Sequence, residues 1–285
     1  MEFMKRSIRL LGIIFCLIIK GDLSRYRREI YFLIRHGLNT YPYEYIFRYN
    51  LENEVIGLDE ITGNNYVLHN GRRIYFPISE KYTGDMIKKT HFLSVIEQDV
   101  ESPHRYLDQD EDMSECIFFD VGCQEASLPL DFVDKLKHLY LFEADEEWNT
   151  PLSLTFKEWN EKVTVVNKFV SDSNSNGNIS LSSFILQLEK EGKIDLEQDK
   201  LWIKMDIEGS EETVFADLIS IMKRSKCLKI ALCLYHKYTT EDCIRKMLPE
   251  EYIMRTRNTY MLFQPFSKDC RYPFFRHGVA RIERK

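Results

Sequence analysis

The 285-residue chain lacks a long hydrophobic run, a CxxC pair and any internal repeat. Its longest apolar stretch, residues 10 to 19, is too short to span a bilayer, which takes about 20 apolar residues. The seven cysteines are scattered and odd in number, which favours free thiols over a disulfide framework or a zinc site. A net charge of -6 gives no general case for nucleic acid binding. We therefore expect a globular protein of a reducing, cytoplasmic compartment without a nucleic acid partner.

The first 36 residues differ from the rest of the chain in charge. They contain eight Lys or Arg against three Asp or Glu, a net +5, interleaved with apolar residues. We predict a basic, apolar helical segment over residues 1–40. Residues 1–36 could lie on the inner face of a membrane as a peripheral contact. They could equally pack on the main domain or on another subunit with a solvated basic face, and the oligomeric state is not specified.

Residues 41–114 are predicted to form an extension made of a β-hairpin and a helix. In YVLHNGRRIYFP, Asn70-Gly71 separates two alternating segments, which is the strongest short-range signal for a hairpin. Residues 85–98 have a helical pattern, and a polar connection then ends near Glu115. The alternating aromatic residues from Tyr41 to Tyr49 are interpreted as one face of a buried strand. His104, in the polar connection, is interpreted as a loop histidine with satisfied hydrogen bonds.

Residues 115–285 alternate between apolar strands and helices and form the predicted main domain. The predicted strands cover residues 116–121, 138–144, 163–170, 201–206 and 228–236, with an antiparallel pair over 251–265 that turns at Asn258. The predicted helices include residues 131–138, 180–192 and 210–224. Continuous apolar strands separated by helices indicate a doubly wound parallel α/β sheet covered on both faces. Ligands of such sheets bind at the carboxyl ends of the strands.

Polar or turn-forming residues follow the ends of four predicted strands and should meet at one edge of the sheet. Gly122 allows a tight turn under a ligand, and the following helix offers free backbone N–H groups. Glu143, about 20 residues further on, is placed to accept hydrogen bonds from ribose hydroxyls, which predicts a nucleoside-containing cofactor. The candidate binding and catalytic residues at these strand ends are Asp120, Gly122, Glu143, Asp172, Asp206 and Glu208.

Six segments together resemble the FkbM family of S-adenosylmethionine-dependent methyltransferases: FFDVGCQEA, YLFEAD, VVNKFVSD, ISLSSFI, LWIKMDIEGSEETVF and CLYHK. The resemblance covers roughly residues 115–265, and IKMDIEGSE is its most specific part. It implies a class I methyltransferase fold, a Rossmann-like sheet of seven strands with an antiparallel last strand. It also implies S-adenosylmethionine as cofactor and O-methylation, often of sugar hydroxyls in polysaccharides, glycolipids or natural products.

The same resemblance implies roles for single residues. Asp120 and Gly122 would lie against the methionine part of the cofactor, Glu143 would bind the ribose, and Asp172 would lie at the adenine edge. The family has a second glycine in its first motif where this chain has Ala126. Alanine permits the same close approach if its φ stays negative.

Methyl transfer is an in-line displacement that needs alignment of the reacting atoms and removal of a hydroxyl proton. We expect Asp206 to orient the cofactor's amino group or the acceptor hydroxyl, although Asp at this position can also be a plain helix N-cap. Glu208 is expected to shape the turn or contact the substrate. His236 is the best candidate for a general base, since its ordinary pKa is near neutrality; the alternative is a histidine without catalytic role. No metal site is predicted.

Two other functions are compatible with parts of the pattern. An NAD-dependent oxidoreductase would share the Asp-Val-Gly turn, but GxGxxG is absent because CQEASLP follows Gly122. A methyltransferase-like domain without turnover, serving as a binding or scaffold module in glycan biosynthesis, is supported by Ala126 and the unusual CQEA loop.

Overall fold

A computed structural model describes residues 2–175, 177–267 and 270–285. Its N-terminal part contains two helices, α1 and α2, a three-stranded antiparallel sheet and a third helix, α3. The helices are α1 (Glu2–Lys20), α2 (Arg27–His36) and α3 (Gly84–Glu97), and the strands are β1 (Ile56–Leu58), β2 (Asn65–His69) and β3 (Arg72–Tyr75). Asn70 and Gly71 connect β2 to β3 with φ of 51° and 83°, as the two central residues of a type I′ turn require. The predicted hairpin is therefore confirmed.

The tyrosines before this sheet do not form the predicted strand. Residues 44–48 form a 3-10 helix, and Tyr41, Tyr43 and Tyr45 are each buried. Two of them are held by their hydroxyl groups instead of by strand neighbours: Tyr41 donates to Glu97 over 2.7 Å and Tyr43 to Glu29 over 2.5 Å. The alternating spacing of these tyrosines did not predict their conformation, because side-chain hydrogen bonds determine the direction of the rings.

The main domain is built on one seven-stranded sheet. Its elements are β4 (Cys116–Val121), α4 (Ser127–Leu130), β5 (His138–Phe142), α5 (Asn149–Thr155), β6 (Val163–Val166), β7 (Phe169–Ser171), β8 (Asn178–Ser180), α6 (Leu181–Lys190), β9 (Lys200–Met205), α7 (Glu211–Arg224), β10 (Leu228–Cys233), α8 (Thr240–Met247), β11 (Tyr252–Thr256), β12 (Met261–Leu262), β13 (Phe275–Arg276) and β14 (Val279–Arg284). The order across the sheet is β6-β5-β4-β9-β10-β14-β11, and β14 runs antiparallel to both of its neighbours. This is the topology of the class I methyltransferase fold, so the predicted fold class is confirmed.

Both faces of the sheet are covered. Alternate residues of β4 point to opposite sides: Phe119 packs with α6 and α7, while Phe118 packs with α4, α5 and the hairpin residues Ile74 and Phe76. The N-terminal extension thus completes the second core layer. No helix in the described ranges has the length and apolar content needed to cross a bilayer.

Three further sequence-based assignments are wrong. Residues 131–138 contain only a 3-10 turn at Val133–Lys135, because β5 already begins at His138 and leaves no room for a helix. The third strand ends at Val166 and does not continue to residue 170. Segment 251–265 is no hairpin around Asn258, because β14 inserts between β10 and β11 and pairs with both, while β12 pairs with β13.

Candidate functional site

A cleft of about 510 Å³ opens at the carboxyl ends of β4, β5, β9 and β10. Gly122, Glu143, Asp206, Glu208 and His236 line it, so five of the seven residues predicted for the site meet there. An inner cavity of about 90 Å³ adjoins the cleft and shares part of its wall.

Position 122 requires glycine because the backbone after β4 and the backbone after β9 are in close contact there. Its φ is 74°, and a Cβ at this position would lie 1.9 Å from the carbonyl oxygen of Asp206. The backbone N–H of Asp206 in turn donates to the carbonyl of Val121 over 3.0 Å. No side chain fits between the two loops, so Gly122 fixes the position of Asp206 relative to the first loop.

Asp120 is buried behind this turn and lines the inner cavity rather than the cleft. Lys204 Nζ lies 2.9 Å from its carboxylate and donates to the carbonyl of Gly122 over 2.6 Å. Burial raises the pKa of Asp120, and Lys204 offsets only part of that effect. For Lys204, burial opposes the charge, but Asp120 and Asp206 outweigh it and raise its pKa.

Sequence reasoning missed Lys204, although a signal was present. A lysine inside the apolar strand LWIKMD is a charge that must be buried, and a buried charge needs a partner. The nearest acidic strand residue, Asp120 on adjacent β4, is that partner.

Glu143 ties two loops together at the end of β5. Its Oε2 accepts the backbone N–H of Gln124 over 3.0 Å, and its Oε1 accepts that of Asp145 over 2.9 Å. A carboxylate oxygen can accept more than one hydrogen bond, so both oxygens keep capacity toward the cleft. The ribose-binding role of Glu143 stays a prediction.

The loop after Gly122 adopts left-handed conformations without glycine. Ala126 has φ 52° and Gln124 has φ 46°, and Ala126 is buried. The condition of a negative φ, under which alanine would permit the same close approach as glycine, is therefore not met at Ala126. The chain keeps the backbone shape that glycine adopts easily, at a steric cost of roughly 1 kcal/mol at each of these residues.

Asp206 is the centre of a polar network. Tyr106 donates to its Oδ2 over 2.8 Å, Tyr235 donates to its Oδ1 over 3.3 Å, and His236 Nε2 lies 3.5 Å from Oδ1. Burial opposes its ionisation, but Lys204 and the two neighbouring histidines outweigh burial and hold the pKa of Asp206 below its usual value. Asp206 is therefore an ionised carboxylate at the cleft wall.

His104 is a buried member of the same network. Its Nε2 lies 3.0 Å from the Tyr235 hydroxyl, and the residue is 1% exposed. Its Nδ1 is buried without a hydrogen-bond partner and lies 3.5 Å from Glu97 Oε2, so the predicted satisfied hydrogen bonding is confirmed for Nε2 and is wrong for Nδ1.

His236 is held between two carboxylates. Its Nδ1 lies 2.6 Å from Glu211 Oε1, and its Nε2 faces Asp206. Burial disfavours the protonated ring, but Glu211 and Asp206 outweigh burial and raise the pKa of His236. A raised pKa leaves less of the neutral ring that a general base needs, and the general-base role of His236 stays a prediction. The same geometry lets the protonated ring position Asp206.

Glu208 and Asp172 differ in their relation to the cleft. Glu208 has φ 55°, and its exposed side chain stands at the cleft wall, where either predicted role, shaping the turn or contacting substrate, is sterically open. Asp172 is exposed and does not line the cleft. Because β6 ends at Val166, the residues that reach the cleft from this segment are Lys168, Phe169 and Val170.

Glu125 is a second residue that sequence reasoning did not single out. It is 6% exposed, borders both the cleft and the inner cavity, and accepts a hydrogen bond from Ser127 over 3.1 Å. Burial raises its pKa to about 7. A glutamate that titrates near neutral pH at the wall of a cleft is suited to exchange a proton there.

Two groups of side chains in the described residues have ligand atoms close enough to share a metal ion: His104, Asp206 and Cys233, and Asp206, Glu211 and His236. Hydrogen bonds within the protein already use these atoms, since His104 contacts Tyr235 and His236 contacts Glu211. We therefore assign no metal to either group.

No protein-family model and no curated protein matches the sequence. Among solved structures, the chain is similar to the methyltransferase FkbM from Methylobacillus flagellatus KT, with 17% identity, a TM-score of 0.44, and coverage of 69% of this chain and 52% of that one. The chain thus spans about half the length of that protein. The magnesium protoporphyrin IX methyltransferase from Synechocystis PCC 6803, with bound SAM, shows 14% identity, a TM-score of 0.41, and coverage of 72% and 86%. A putative methyltransferase from Streptococcus mutans in complex with SAH shows 15% identity, a TM-score of 0.36, and coverage of 60% and 90%.

Proposed function

We propose that the protein is an S-adenosylmethionine-dependent O-methyltransferase acting on a sugar hydroxyl of a polysaccharide, glycolipid or related glycan. The charge of the cleft carries the proposal. Six carboxyl groups line it, from Glu97, Glu125, Glu143, Asp145, Asp206 and Glu208, against three basic side chains, Lys81, Lys168 and His236. S-adenosylmethionine carries a sulfonium and an ammonium group, which such a cleft attracts, whereas it repels the pyrophosphate of NAD.

The residues of the cleft fit this cofactor. Its volume of about 510 Å³ lies within the usual range of about 300–1,000 Å³ for small-molecule sites. Glu143 would bind the ribose hydroxyls, and the turn at Gly122 would support the methionine part. Phe169, 43% exposed at the cleft wall, offers a ring for stacking on adenine in place of the predicted Asp172. When bound, the cofactor supplies an activated methyl group.

The protein's own residues would orient the acceptor and handle its proton. Ionised Asp206 accepts a hydrogen bond from the acceptor hydroxyl and so points the oxygen into the cleft. Protonated His236, held by Glu211, fixes the direction of that carboxylate. Glu125 is the group at the cleft wall with a pKa near 7 and would receive the proton. A neutral sugar suits this acidic site better than a phosphorylated acceptor does.

Isothermal titration with S-adenosylmethionine, S-adenosylhomocysteine and NAD tests the cofactor. We expect micromolar binding of the adenosyl compounds, no binding of NAD, and loss of binding in Glu143→Ala. Asp172→Ala is the matched control, because it removes a carboxylate outside the cleft and should bind like the wild type. Binding of NAD, or an unchanged affinity in Glu143→Ala, would refute the proposal.

Turnover separates the enzyme from the alternative, a methyltransferase-like scaffold module. Transfer of radiolabelled methyl groups to a set of glycans would be measured for the wild type and Asp206→Asn. Methylation by the wild type that falls at least a hundredfold in Asp206→Asn, with cofactor affinity retained, identifies the enzyme and its site. Tight cofactor binding without transfer to any glycan would favour the scaffold module.

A further inference from the structure

Helix α1 is apolar on two opposite faces. On the inner face, Ile13 and Leu17 are 2% and 0% exposed and pack against the body of the protein, next to Leu33 and Leu262. This buried stripe is enough to attach the helix, so the composition of its other face needs a separate explanation.

The outer face of α1 exposes five large apolar side chains with fractional exposures between 56% and 66%. These are Ile8, Leu11, Phe15, Ile18 and Ile19. At 100° per residue they lie within an arc of about 100°. Single exposed apolar residues are common on protein surfaces, but five on one helix face form a continuous patch of the kind that marks an interaction site.

Two basic side chains of α1 lie on the side of the helix that faces the body of the protein, away from the outer face. Arg9 donates to the carbonyl of Pro265 over 2.7 Å, and Lys20 lies over the ring of Tyr272, so both are directed toward the body of the protein. Arg27 and Arg28 at the start of α2 are exposed. An apolar face with cations above it is the arrangement of a helix that lies in the plane of an anionic membrane surface, with its basic groups at the level of the headgroups.

The charge distribution of the whole chain also favours an anionic membrane surface as the partner. Residues 1–36 carry +5 within a chain of -6, which leaves -11 for the remainder. An anionic surface attracts the helical segment and repels the body. A second copy of the chain placed face to face on α1 would instead bring two +5 segments together.

We propose that the outer face of α1 docks the protein on an anionic lipid surface, with the helix parallel to the membrane plane. The inference rests on α1 and on the charge of residues 1–36, and it is independent of methyl transfer. Insertion of Leu11 and Phe15 supplies apolar burial, and the basic residues supply attraction to acidic headgroups.

Vesicle co-sedimentation of the full chain tests the proposal, with phosphatidylcholine vesicles that contain about one third phosphatidylserine. The test variant is Leu11→Asp/Phe15→Asp, whose side chains are exposed and do not contribute to the core. The matched control is Ile61→Asp/Ile78→Asp, which places the same charges at exposed apolar positions, 96% and 70% exposed, away from α1. Binding should fall more than tenfold in the test variant and stay unchanged in the control.

Three results would overturn the proposal. The first is no binding of the wild type to these vesicles, and the second is equal binding of the test variant. The third is equal binding to pure phosphatidylcholine, since the proposal requires anionic lipid. Sedimentation velocity without lipid identifies the alternative: a dimer that Leu11→Asp/Phe15→Asp dissociates would make the outer face a self-association surface. A monomer that binds the acidic vesicles more weakly at high salt is the expected outcome.

Discussion

Replacing Lys204 by Met should destabilise the protein more than an ordinary surface substitution does. The side chain is 7% exposed, and its amino group contacts the fully buried Asp120 at 2.9 Å and the carbonyl of Gly122 at 2.6 Å. Met fills a similar volume but removes the charge. The carboxylate of Asp120 then remains buried without a positively charged partner.

The size of the effect follows from the cost of an uncompensated buried charge. Removing one partner of a buried ion pair costs about 3–5 kcal/mol, a large part of the about 5–15 kcal/mol that stabilise a typical domain. The loss should depend on pH. Burial raises the folded-state pKa of Asp120, and without Lys204 that pKa rises further. The folded variant therefore takes up a proton that the unfolded chain releases, so its deficit grows as pH increases from 5 to 8, by at most about 1.4 kcal/mol per pH unit.

Urea unfolding followed by circular dichroism at pH 5 and pH 8 measures both effects. Lys226→Met is the matched control, because Lys226 pairs with Glu197 at the surface, where both side chains are more than half exposed, and should change stability by less than about 1 kcal/mol. The double variant Asp120→Asn/Lys204→Met removes the buried charge as well and should be more stable than Lys204→Met. A single-variant loss no larger than that of the control, or a double variant less stable than the single one, would refute the reasoning.

Three further predictions concern the loops and the network. Gly122→Ala should lose more than about 2 kcal/mol of stability and all S-adenosylmethionine binding, because its Cβ would meet the Asp206 carbonyl at 1.9 Å; thermal unfolding and calorimetry measure the two losses. Ala126→Gly should gain about 0.5–1 kcal/mol in urea unfolding, since φ 52° is strained for alanine. Glu211→Gln should lower the pKa of His236, read by NMR titration. The charge of His236 contributes stability below its unfolded pKa and loses that contribution as pH rises through the raised folded pKa, so Glu211→Gln should lose more stability at pH 6 than at pH 9.

Each of these has a control and a contradicting result. Gly12→Ala, where a Cβ has nothing within 4 Å, should not destabilise, and an equally mild Gly122→Ala would show that the loops can separate. Ala144→Gly is the control for Ala126→Gly, because the φ of Ala144 is outside the left-handed region, and it should lose stability. If Ala126→Gly also loses stability, the left-handed conformation does not strain Ala126. A His236 pKa that Glu211→Gln leaves unchanged would contradict the pairing that we describe.

The sheet was predictable from the sequence to the extent that its strands are continuous apolar runs. CIFFDV matches β4 from its first residue to its last. The apolar pattern did not predict those parts of the structure that depend on hydrogen bonds between segments distant in sequence. β14 is part of a basic, aromatic segment whose pattern does not indicate a strand. Val279–Arg284 forms a strand because it pairs with both β10 and β11.

The site was predictable where a residue lies directly at a strand end, as Gly122, Glu143 and Asp206 do. Asp172 failed because β6 ends at Val166 and a separate short strand, β7, lies between β6 and Asp172. Lys204 and Glu125 were missed because their importance lies in burial, and burial depends on the three-dimensional packing of residues distant in sequence. The ordinary pKa of His236 suggested a general base, and the sequence did not show that Glu211, 25 residues earlier, raises that pKa.

The position of β14 has a consequence for synthesis on the ribosome. β10 and β11 are made before residue 279, yet each depends on β14 for hydrogen bonds: β14 is the partner of β11 and the second neighbour of β10. Until residues 279–284 leave the exit tunnel, the nascent chain carries the unpaired edge of β10, a strand whose residues are almost all buried in the finished sheet. Open apolar edges of this kind are where chains associate wrongly. We therefore expect the nascent chain to be prone to wrong association until β14 is available to pair with β10 and β11.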